Sequence, residues 1–293
     1  MAFIEINGIG IEYDLIGDVG PAVAIVHGGR FSKDITGIRQ LAEGIASLQC
    51  RVLIWDRPNC GASDVAFNSE SESQLNADVL AGLIDELELG PTLIVGGSAG
   101  SRVALICAAR HPTKVAGLYL FLITGGMLSW GILVNVYYGD SAFAAAAGGM
   151  EAVVALPTWS EQLSKNPRNR ERLLALDASW FVKTMQTWSA ALFPEDGSPV
   201  PGMRLADFES LAIPVVVLRS GVSDPHHLRE TSEMVQTLIP GAELREPPWG
   251  DREWLERYSA AQAGESLCVR WPLLAPGIGA MIGTLSKKGS FGP

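Results

Sequence analysis

The pentapeptide Gly-Gly-Ser-Ala-Gly at residues 96–100 constrains the fold of this chain more than any other feature. The apolar residues 92–95 before it predict a short buried strand, and residues 101–110 after it predict a helix. A serine between glycines at a strand-to-helix turn matches the nucleophile elbow, a sharp turn that exposes the serine hydroxyl at the end of a sheet. The motif therefore predicts strands and helices in alternation, with Ser98 as a nucleophile.

Apolar strand patterns alternate with amphipathic helix patterns in the first half of the chain and return near the C-terminus. The apolar runs lie at residues 22–26, 51–55, 92–95, 115–121 and 213–218. A helix is predicted over residues 34–48, and helices that close the sheet are predicted over residues 251–284. Strands that are buried on both faces have such continuous apolar runs, and they pair in parallel when helices connect them. The sequence therefore predicts a doubly wound, mostly parallel sheet of the α/β class.

Residues 125–207 interrupt this alternation with helical patterns that are rich in alanine and tryptophan. We predict that this segment is a helical cap, inserted into a core formed by residues 1–124 and 208–293. The uncharged residues 115–139 are numerous enough to cross a bilayer, but glycines and a threonine interrupt them. A buried strand that continues into an apolar loop explains this stretch better.

The overall composition disfavours several classes of partner. The formal net charge of −10 and the pI of about 4.9 argue against nucleic acids and anionic membranes, because both attract clustered Lys and Arg. The four cysteines form no C-x-x-C pair, and the N-terminal residues lack a signal-peptide pattern, so we expect a cytoplasmic protein with reduced thiols. No metal or cofactor motif is readable, so we expect a small-molecule substrate without a cofactor, and a homodimer is left open.

Polar residues follow five of the predicted strands, at the sheet edge where doubly wound folds bind their ligands. These residues are His27, Asp56, Ser98, Asp224 and Asp251. Because the loops after parallel strands converge at one edge, their side chains predict a pocket with polar groups at its base.

The motifs at these strand ends resemble the α/β-hydrolase family, and they span residues 3 to about 250. The resemblance rests on His-Gly-Gly at 27–29, Asp-Arg-Pro-Asn-Cys-Gly-Ala-Ser-Asp at 56–64, the elbow at 96–100 and Gly-Val-Ser-Asp at 221–224, in family order. The paired glycines are similar to those of proline iminopeptidases, and the chain is also similar to the C–C hydrolase branch. The resemblance implies an α/β-hydrolase fold.

The resemblance also implies roles for individual residues. Ser98 would be the nucleophile, and Asp224 occupies the usual position of the acid. The backbone N–H groups of Gly29 and Ala99 would form the oxyanion hole, where negative charge develops on the reacting carbonyl oxygen. Gly28 would line the substrate site beside them.

The base is where this chain departs from the family pattern. The family places a histidine in the loop after the last strand, but residues 228–293 contain no histidine, and Asp251 stands at that place. One interpretation is that His227 or His226 supplies the imidazole and that Asp251 orients it, because a triad is defined by geometry and not by order in the chain. Asp224 could replace Asp251. The alternative is that both histidines form the exposed start of a helix.

Several residues are candidates for contact with the substrate. Arg30 follows the predicted oxyanion loop and could bind a carboxylate, or it could be a surface residue. Trp159, Trp188 and Trp249 suggest an apolar substrate, although helical tryptophans usually pack inward. Arg102 stands near a helix N-terminus, where a cation is unfavourable, so we expect it to pair with Asp56 or Asp224.

Three functions are compatible with these residues. The first is a serine hydrolase with an atypical triad that cleaves an ester, lactone, amide or activated C–C bond in a small apolar molecule. The second is a cofactor-independent lyase or isomerase in which Asp251 or Asp224, with its pKa raised by neighbouring tryptophans, moves a proton. The third is a catalytically silent relative that binds a ligand.

Overall fold

The computed structural model describes residues 2–195 and 197–292. Met1, Asp196 and Pro293 belong to the predicted core and cap ranges and lie outside the described residues. The described residues form an eight-stranded sheet with helices on both faces. Its strands are β1 (Ala2–Ile6), β2 (Ile9–Ile16), β3 (Ala22–Val26), β4 (Arg51–Trp55), β5 (Thr92–Gly97), β6 (Val115–Phe121), β7 (Val215–Leu218) and β8 (Glu243–Arg245).

The α-helices within the described residues follow these strands and fill the interval between β6 and β7. They are α1 (Ile38–Ala46), α2 (Glu72–Glu86), α3 (Ala99–Arg110), α4 (Met127–Val134), α5 (Asp140–Val154), α6 (Ser160–Lys165), α7 (Arg168–Leu174), α8 (Ala178–Ala190), α9 (Leu205–Glu209), α10 (Arg229–Leu238), α11 (Glu253–Gln262) and α12 (Ala275–Lys287). A π-helical turn, Asn135–Gly139, joins α4 to α5.

The strand order is β1-β2-β4-β3-β5-β6-β7-β8. The pairs from β4 through β8 are parallel, whereas β1 pairs with β2, and β2 with β4, in antiparallel fashion. Asn7 and Gly8 join β1 to β2 with positive φ angles of 53° and 79°, as a two-residue hairpin turn requires. The predicted α/β class with a mostly parallel sheet is confirmed.

The core consists of two apolar layers, one on each face of the sheet. In β3, Val23 and Ile25 pack in the layer that contains α1 and α12. Ala24 and Val26 point to the opposite face and pack in the layer that contains α2 and α3. Successive side chains of a strand point to opposite faces, so a strand covered on both sides must be apolar at every position. The helices on both faces hold the strands in place, and the loops that follow these strands carry the candidate site.

The helices between β6 and β7 are attached to the loop after β4 by buried side-chain amides. Gln162 donates a hydrogen bond to the carbonyl of Asn59 at 3.1 Å. Asn169 donates to the carbonyl of Ser63 at 2.9 Å and accepts from the backbone N–H of Val65 at 3.0 Å. These bonds hold α6 and α7 above the sheet edge. The division into core and cap at residues 125 and 207 stays a prediction.

Two predicted helices differ in extent from the observed ones. The first was expected over residues 34–48, but α1 begins at Ile38, because residues 32–35 form a turn and Gly37 has a φ of 107°. The helical region expected at 251–284 is divided into α11 and α12 by a non-helical segment and a short 3-10 helix, Trp271–Leu274.

Among the described residues, no single helix is both long and apolar enough to cross a bilayer. The helical segments Met127–Val154 and Pro157–Lys165, which are bent by 45° at their break, meet the length and composition criteria only when taken together.

Candidate active site

The elbow between β5 and α3 raises Ser98 at the end of the sheet. Ser98 has φ 57° and ψ −124°, a conformation that costs a non-glycine residue on the order of 1–3 kcal/mol. The turn needs its glycines: a Cβ on Gly100 would lie 1.9 Å from the carbonyl oxygen of Val26. The close approach of α3 to β3 therefore requires glycine here, and the strained φ angle lies at the half-buried Ser98.

Ser98, His227 and Asp224 form a hydrogen-bonded chain. The Ser98 Oγ lies 2.9 Å from Nε2 of His227, and Nδ1 of His227 lies 2.7 Å from Oδ2 of Asp224. Because an ionised carboxylate only accepts hydrogen bonds, the imidazole proton belongs on Nδ1. Nε2 is then free to accept the proton of the serine hydroxyl. The geometry is that of nucleophile, base and orienting acid.

His227 and Asp224 both lie in the loop between β7 and α10. Oδ1 of Asp224 accepts the backbone N–H groups of His226 at 2.8 Å and His227 at 3.1 Å. These two bonds curl the loop back on itself, so that Oδ2 of the same carboxylate can reach the ring of His227, three residues further on. One loop therefore supplies both the imidazole and the carboxylate that is hydrogen-bonded to it.

Burial and hydrogen bonding set the ionisation of this pair. Burial lowers the pKa of His227 below its ordinary value of 6.5, although Asp224 acts in the opposite direction. Burial alone would raise the pKa of Asp224, but the hydrogen bonds from His227 and His226 and the charge of Arg257 hold it below the ordinary value of 3.8. Near pH 7 the pair is therefore a carboxylate and a neutral imidazole, the state that a general base requires.

Arg257 in α11 also contacts the acid. Its Nη2 lies 3.0 Å from Oδ2 of Asp224, the oxygen that accepts from His227, and its Nε donates to the buried Glu253 at 2.8 Å. Its guanidinium lies 5.1 Å from the ring centroid of Trp254. The positive charge of Arg257 reduces the stabilisation of a His227 imidazolium by Asp224, and its hydrogen bond holds the carboxylate of Asp224 in place.

The loop after β3 lies against Ser98. A Cβ on Gly28 would lie 2.5 Å from the Cβ of Ser98 and 2.9 Å from its Oγ, so only glycine leaves the hydroxyl accessible. Gly29 has a φ of 60°, and its carbonyl accepts a hydrogen bond from Arg57. Ala99, the first residue of α3, offers its N–H at the positive end of the helix.

The structure does not bring Asp251 and His226 to the serine. Asp251 is 56% exposed at its side chain and binds Arg229. The ring of His226 packs on Trp254, with centroids 5.1 Å apart. The expectation that Asp251 orients the imidazole is therefore wrong, because the turn from Asp224 to His227 already supplies a carboxylate. The exposed, ion-paired carboxylate of Asp251 is also not enclosed in an apolar environment.

The candidate substrate-binding residues are mostly interior. Trp159 and Trp188 are 0% and 1% exposed and pack around Phe67, so they belong to the core and not to a substrate surface. Trp249 is half-buried and packs edge-on against Phe121. Arg30 is not a surface residue, since its side chain is only 7% exposed and pairs with Glu72 at 3.3 Å.

Arg102 does not make the expected ion pair with Asp56 or Asp224. It is 5% exposed, and its Nε donates to the Ser73 hydroxyl at 2.8 Å. Asp56 instead accepts the backbone N–H of Lys33 at 2.5 Å. Ser73 of α2 thus gives the buried guanidinium of Arg102 a neutral hydrogen-bond partner.

Three residues near the site had no strong sequence signal. Thr124 follows β6 and places its Oγ1 3.4 Å from the Ser98 Oγ. Arg257 lies on a helix far along the chain, and Glu72 begins α2. Thr124 does follow a strand end, which is a usable signal, but nothing in the pattern of α11 indicates that it reaches Asp224. Among the described residues, no group of His, Cys, Asp or Glu is arranged to hold a metal ion.

Residues 23–275 match the alpha/beta hydrolase family. The chain belongs to this family. The membership confirms what the strand-end motifs predicted, and it agrees with the elbow, the sheet and the covering helices described above.

Curated relatives of this alpha/beta hydrolase share only part of its length. The 2-hydroxy-6-oxononadienedioate/2-hydroxy-6-oxononatrienedioate hydrolase of Burkholderia vietnamiensis is 32% identical over 111 residues, which is 38% of this chain and 38% of that protein. The protein of the same name from Cupriavidus pinatubonensis is 34% identical over 99 residues, or 33% of this chain and 34% of the relative. The matches thus span little more than a third of these relatives.

Solved structures share the fold along nearly the whole chain. The meta-cleavage product hydrolase of Pseudomonas fluorescens is 18% identical with a TM-score of 0.56, over 92% of this chain and 97% of that one. The enol-lactonase of Burkholderia xenovorans is 19% identical with a TM-score of 0.54, over 90% and 97%. At these identities the likeness establishes the alpha/beta hydrolase fold alone.

Proposed function

We propose that this protein is a serine hydrolase whose triad is Ser98, His227 and Asp224. The observation that carries the proposal is the placement of His227 Nε2 2.9 Å from the Ser98 Oγ, with Asp224 on the other ring nitrogen at 2.7 Å. The lowered pKa of His227 is compatible with this role, because a general base must be neutral near pH 7 to accept a proton. The triad is atypical only in taking acid and base from one loop.

The reaction follows from this arrangement. Ser98 Oγ attacks the substrate carbonyl carbon as its proton passes to Nε2 of His227, and Asp224 stabilises the imidazolium that forms. The backbone N–H groups of Gly29 and Ala99 bind the oxygen on which negative charge develops. The imidazolium then donates its proton to the leaving group. Water, deprotonated by the same imidazole, releases the acyl group and regenerates the serine.

The bond cleaved is that of an ester, lactone, amide or activated ketone in a small molecule. Cleavage of a C–C bond beside a ketone is a specific second candidate, since the two relatives named above as 2-hydroxy-6-oxononadienedioate/2-hydroxy-6-oxononatrienedioate hydrolases share 32% and 34% identity over part of this chain. In that case the leaving group is a carbanion or enol, and His227 delivers its proton to carbon.

Labelling with a fluorophosphonate tests the serine mechanism directly. We expect one phosphonyl group on Ser98 by peptide mass spectrometry, and no labelling in Ser98→Ala or His227→Ala. On 4-nitrophenyl esters, kcat should fall about 10⁴-fold in Asp224→Asn, because the imidazole tautomer is no longer fixed. His226→Ala is the matched control, one residue away, and should keep normal labelling and turnover.

The competing functions give different results in the same experiment. A silent binding protein would show neither labelling nor ester turnover. A lyase or isomerase would convert its substrate in Ser98→Ala at the wild-type rate, which would overturn the serine mechanism.

A further inference from the structure

A small cavity beside the oxyanion loop is lined by three arginines. Its wall includes Gly29 and Ala99, the guanidinium groups of Arg30, Arg57 and Arg102, and one acidic residue, Glu72. Arg57 and Arg102 are 4% and 5% exposed. The lining residues thus carry two more positive than negative charges in a space that is nearly closed to solvent.

Several guanidinium N–H groups in this wall have no hydrogen-bond acceptor among the described residues. They are Nε and Nη1 of Arg30, Nε of Arg57 and Nη1 of Arg102. Buried donors are nearly always paired, and a buried charge without a partner is strongly unfavourable. The guanidinium of Arg30 lies 4.8–5.8 Å from the ring centroids of Tyr137, Tyr138 and Trp159, which partly compensate its charge. The unpaired donors of Arg57 and Arg102 lack such a contact among the described residues and need another explanation.

The one carboxylate in the wall is already saturated. Glu72 accepts hydrogen bonds from Arg30 at 3.3 Å, from Asn59 at 3.2 Å and from the Tyr138 hydroxyl at 3.0 Å. Arg102 reaches only the neutral hydroxyl of Ser73. Glu72 therefore fixes Arg30 in position without neutralising the other two guanidinium groups.

We propose that this cavity binds a carboxylate of the substrate, on the acyl side of the bond that Ser98 attacks. Charge-assisted hydrogen bonds from guanidinium groups to a carboxylate are among the strongest in proteins. The cavity has room for about one water-sized group, so it would accept one oxygen of the carboxylate among the three arginines.

The location of the cavity makes the carboxylate a determinant of specificity. Gly29 and Ala99 belong both to the cavity wall and to the oxyanion hole proposed above. A carboxylate held there fixes the reacting carbonyl a short chain away, against the two backbone N–H groups. Binding energy from the anion is then used to orient the bond that breaks. This inference rests on the proposed serine mechanism only for the position of that bond.

The test compares acidic and neutral forms of one substrate. The probes are the 4-nitrophenyl hemiesters of succinate, glutarate and adipate, each beside its methyl ester, in which the free carboxylate is masked. We expect kcat/KM of wild type to favour the best hemiester by about 10- to 100-fold over its methyl ester, the range that charged hydrogen bonds provide. In Arg102→Met this preference should fall below about threefold, whereas Arg102→Lys should retain part of it.

Arg110→Met is the matched control. Arg110 lies on the same helix as Arg102 but is 45% exposed at its side chain and pairs with Asp78. The preference for the hemiester should be unchanged in this variant. Equal kcat/KM for the hemiester and its methyl ester in wild type, or an undiminished preference in Arg102→Met, would overturn the proposal.

Binding to Ser98→Ala separates this inference from the proposed function. Calorimetric titration of this variant with the same probes needs no catalysis, so the preference for the hemiester should be measurable even if Ser98 proves not to be the nucleophile. The melting temperature of Arg102→Met gives a further readout. Loss of an uncompensated buried charge should leave it unchanged or raise it, whereas a large fall with the preference intact would assign Arg102 a purely structural role.

Discussion

At the scale of single residues, the ionisation of His227 depends on charges in its own loop and on α11. Asp224 favours the imidazolium, while burial, Arg257 and His226 disfavour it. The net effect lowers the pKa of His227 below 6.5. Since only the neutral ring can accept the proton of Ser98, kcat/KM should be constant near pH 7–8 and decline as the pH falls through a value below 6.5.

Substitution of Arg257 tests its role as a positioning residue. Removal of a cation that lies 3.0 Å from Asp224 makes the imidazolium easier to form, so Arg257→Met should raise the pKa of His227. We expect the acid limb of the kcat/KM profile to move to higher pH. Arg257→Lys, which keeps the charge, should restore much of the wild-type profile.

Arg252→Met is the control for this shift, because Arg252 is exposed at the start of the same helix. Its pH profile should coincide with that of wild type. A loss of activity in Arg257→Met without any movement of the acid limb would contradict the electrostatic role and leave only a packing role.

At the scale of secondary-structure elements, a buried side-chain amide joins α7 to the loop after β4, beside the ion pair of Arg172 with Asp64. Asn169 is 0% exposed and bonds both Ser63 and Val65 of that loop. Removal of the amide leaves a buried backbone N–H and a buried carbonyl without their partner, which costs far more than the bonds themselves contribute.

Asn169→Ala should therefore lower the free energy of unfolding by about 1–3 kcal/mol. Urea denaturation followed by circular dichroism measures it. Arg170→Ala, at the next position of α7, removes an exposed pair with Glu151 and should change the stability by less than about 0.5 kcal/mol. Equal effects of the two substitutions would mean that the amide does not hold α7 to the loop.

At the scale of the whole molecule, Cys50, Cys107 and Cys268 lie in the two apolar layers, and Cys60 lines the cavity that contains the three arginines. Cys50, Cys60, Cys107 and Cys268 are free and buried. Burial raises the pKa of Cys60 to about 11 and those of Cys107 and Cys268 to about 12, so their thiolate fractions near neutral pH are very small. The cysteines therefore fill space in the core and offer no reactive thiol at the surface.

Titration with a thiol reagent checks this arrangement. The native protein should react with Ellman's reagent only at the rate of unfolding, and four thiols should appear at once in denaturant. Addition of a reductant should leave the melting temperature unchanged. A thiol that reacts rapidly in the native protein would show that one of these residues is accessible.

Much of the fold could be predicted because its signals are local. The apolar run at residues 115–121 matches β6 residue for residue, and the glycines at 96–100 fix the elbow. Segments with weaker periodicity were less predictable: α1 begins four residues later than expected, since Ser32 and Gly37 shape a turn before it. Of the candidates at strand ends, Ser98 and Asp224 are joined through His227, whereas Asp251 is not brought to them.

The sequence by itself determined the α/β class, the elbow at Ser98 and the short supply of histidines that reduced the base to His226 or His227. Only the tertiary structure placed His227 and not His226 beside Ser98, and Asp224 and not Asp251 beside that imidazole. The physical reason is that loop side chains are oriented by bonds such as those that Asp224 Oδ1 accepts from two backbone N–H groups. It alone also brought Arg30, Arg57 and Arg102 to one cavity. Local patterns specify which backbone forms, whereas the encounter of distant side chains depends on how the elements pack.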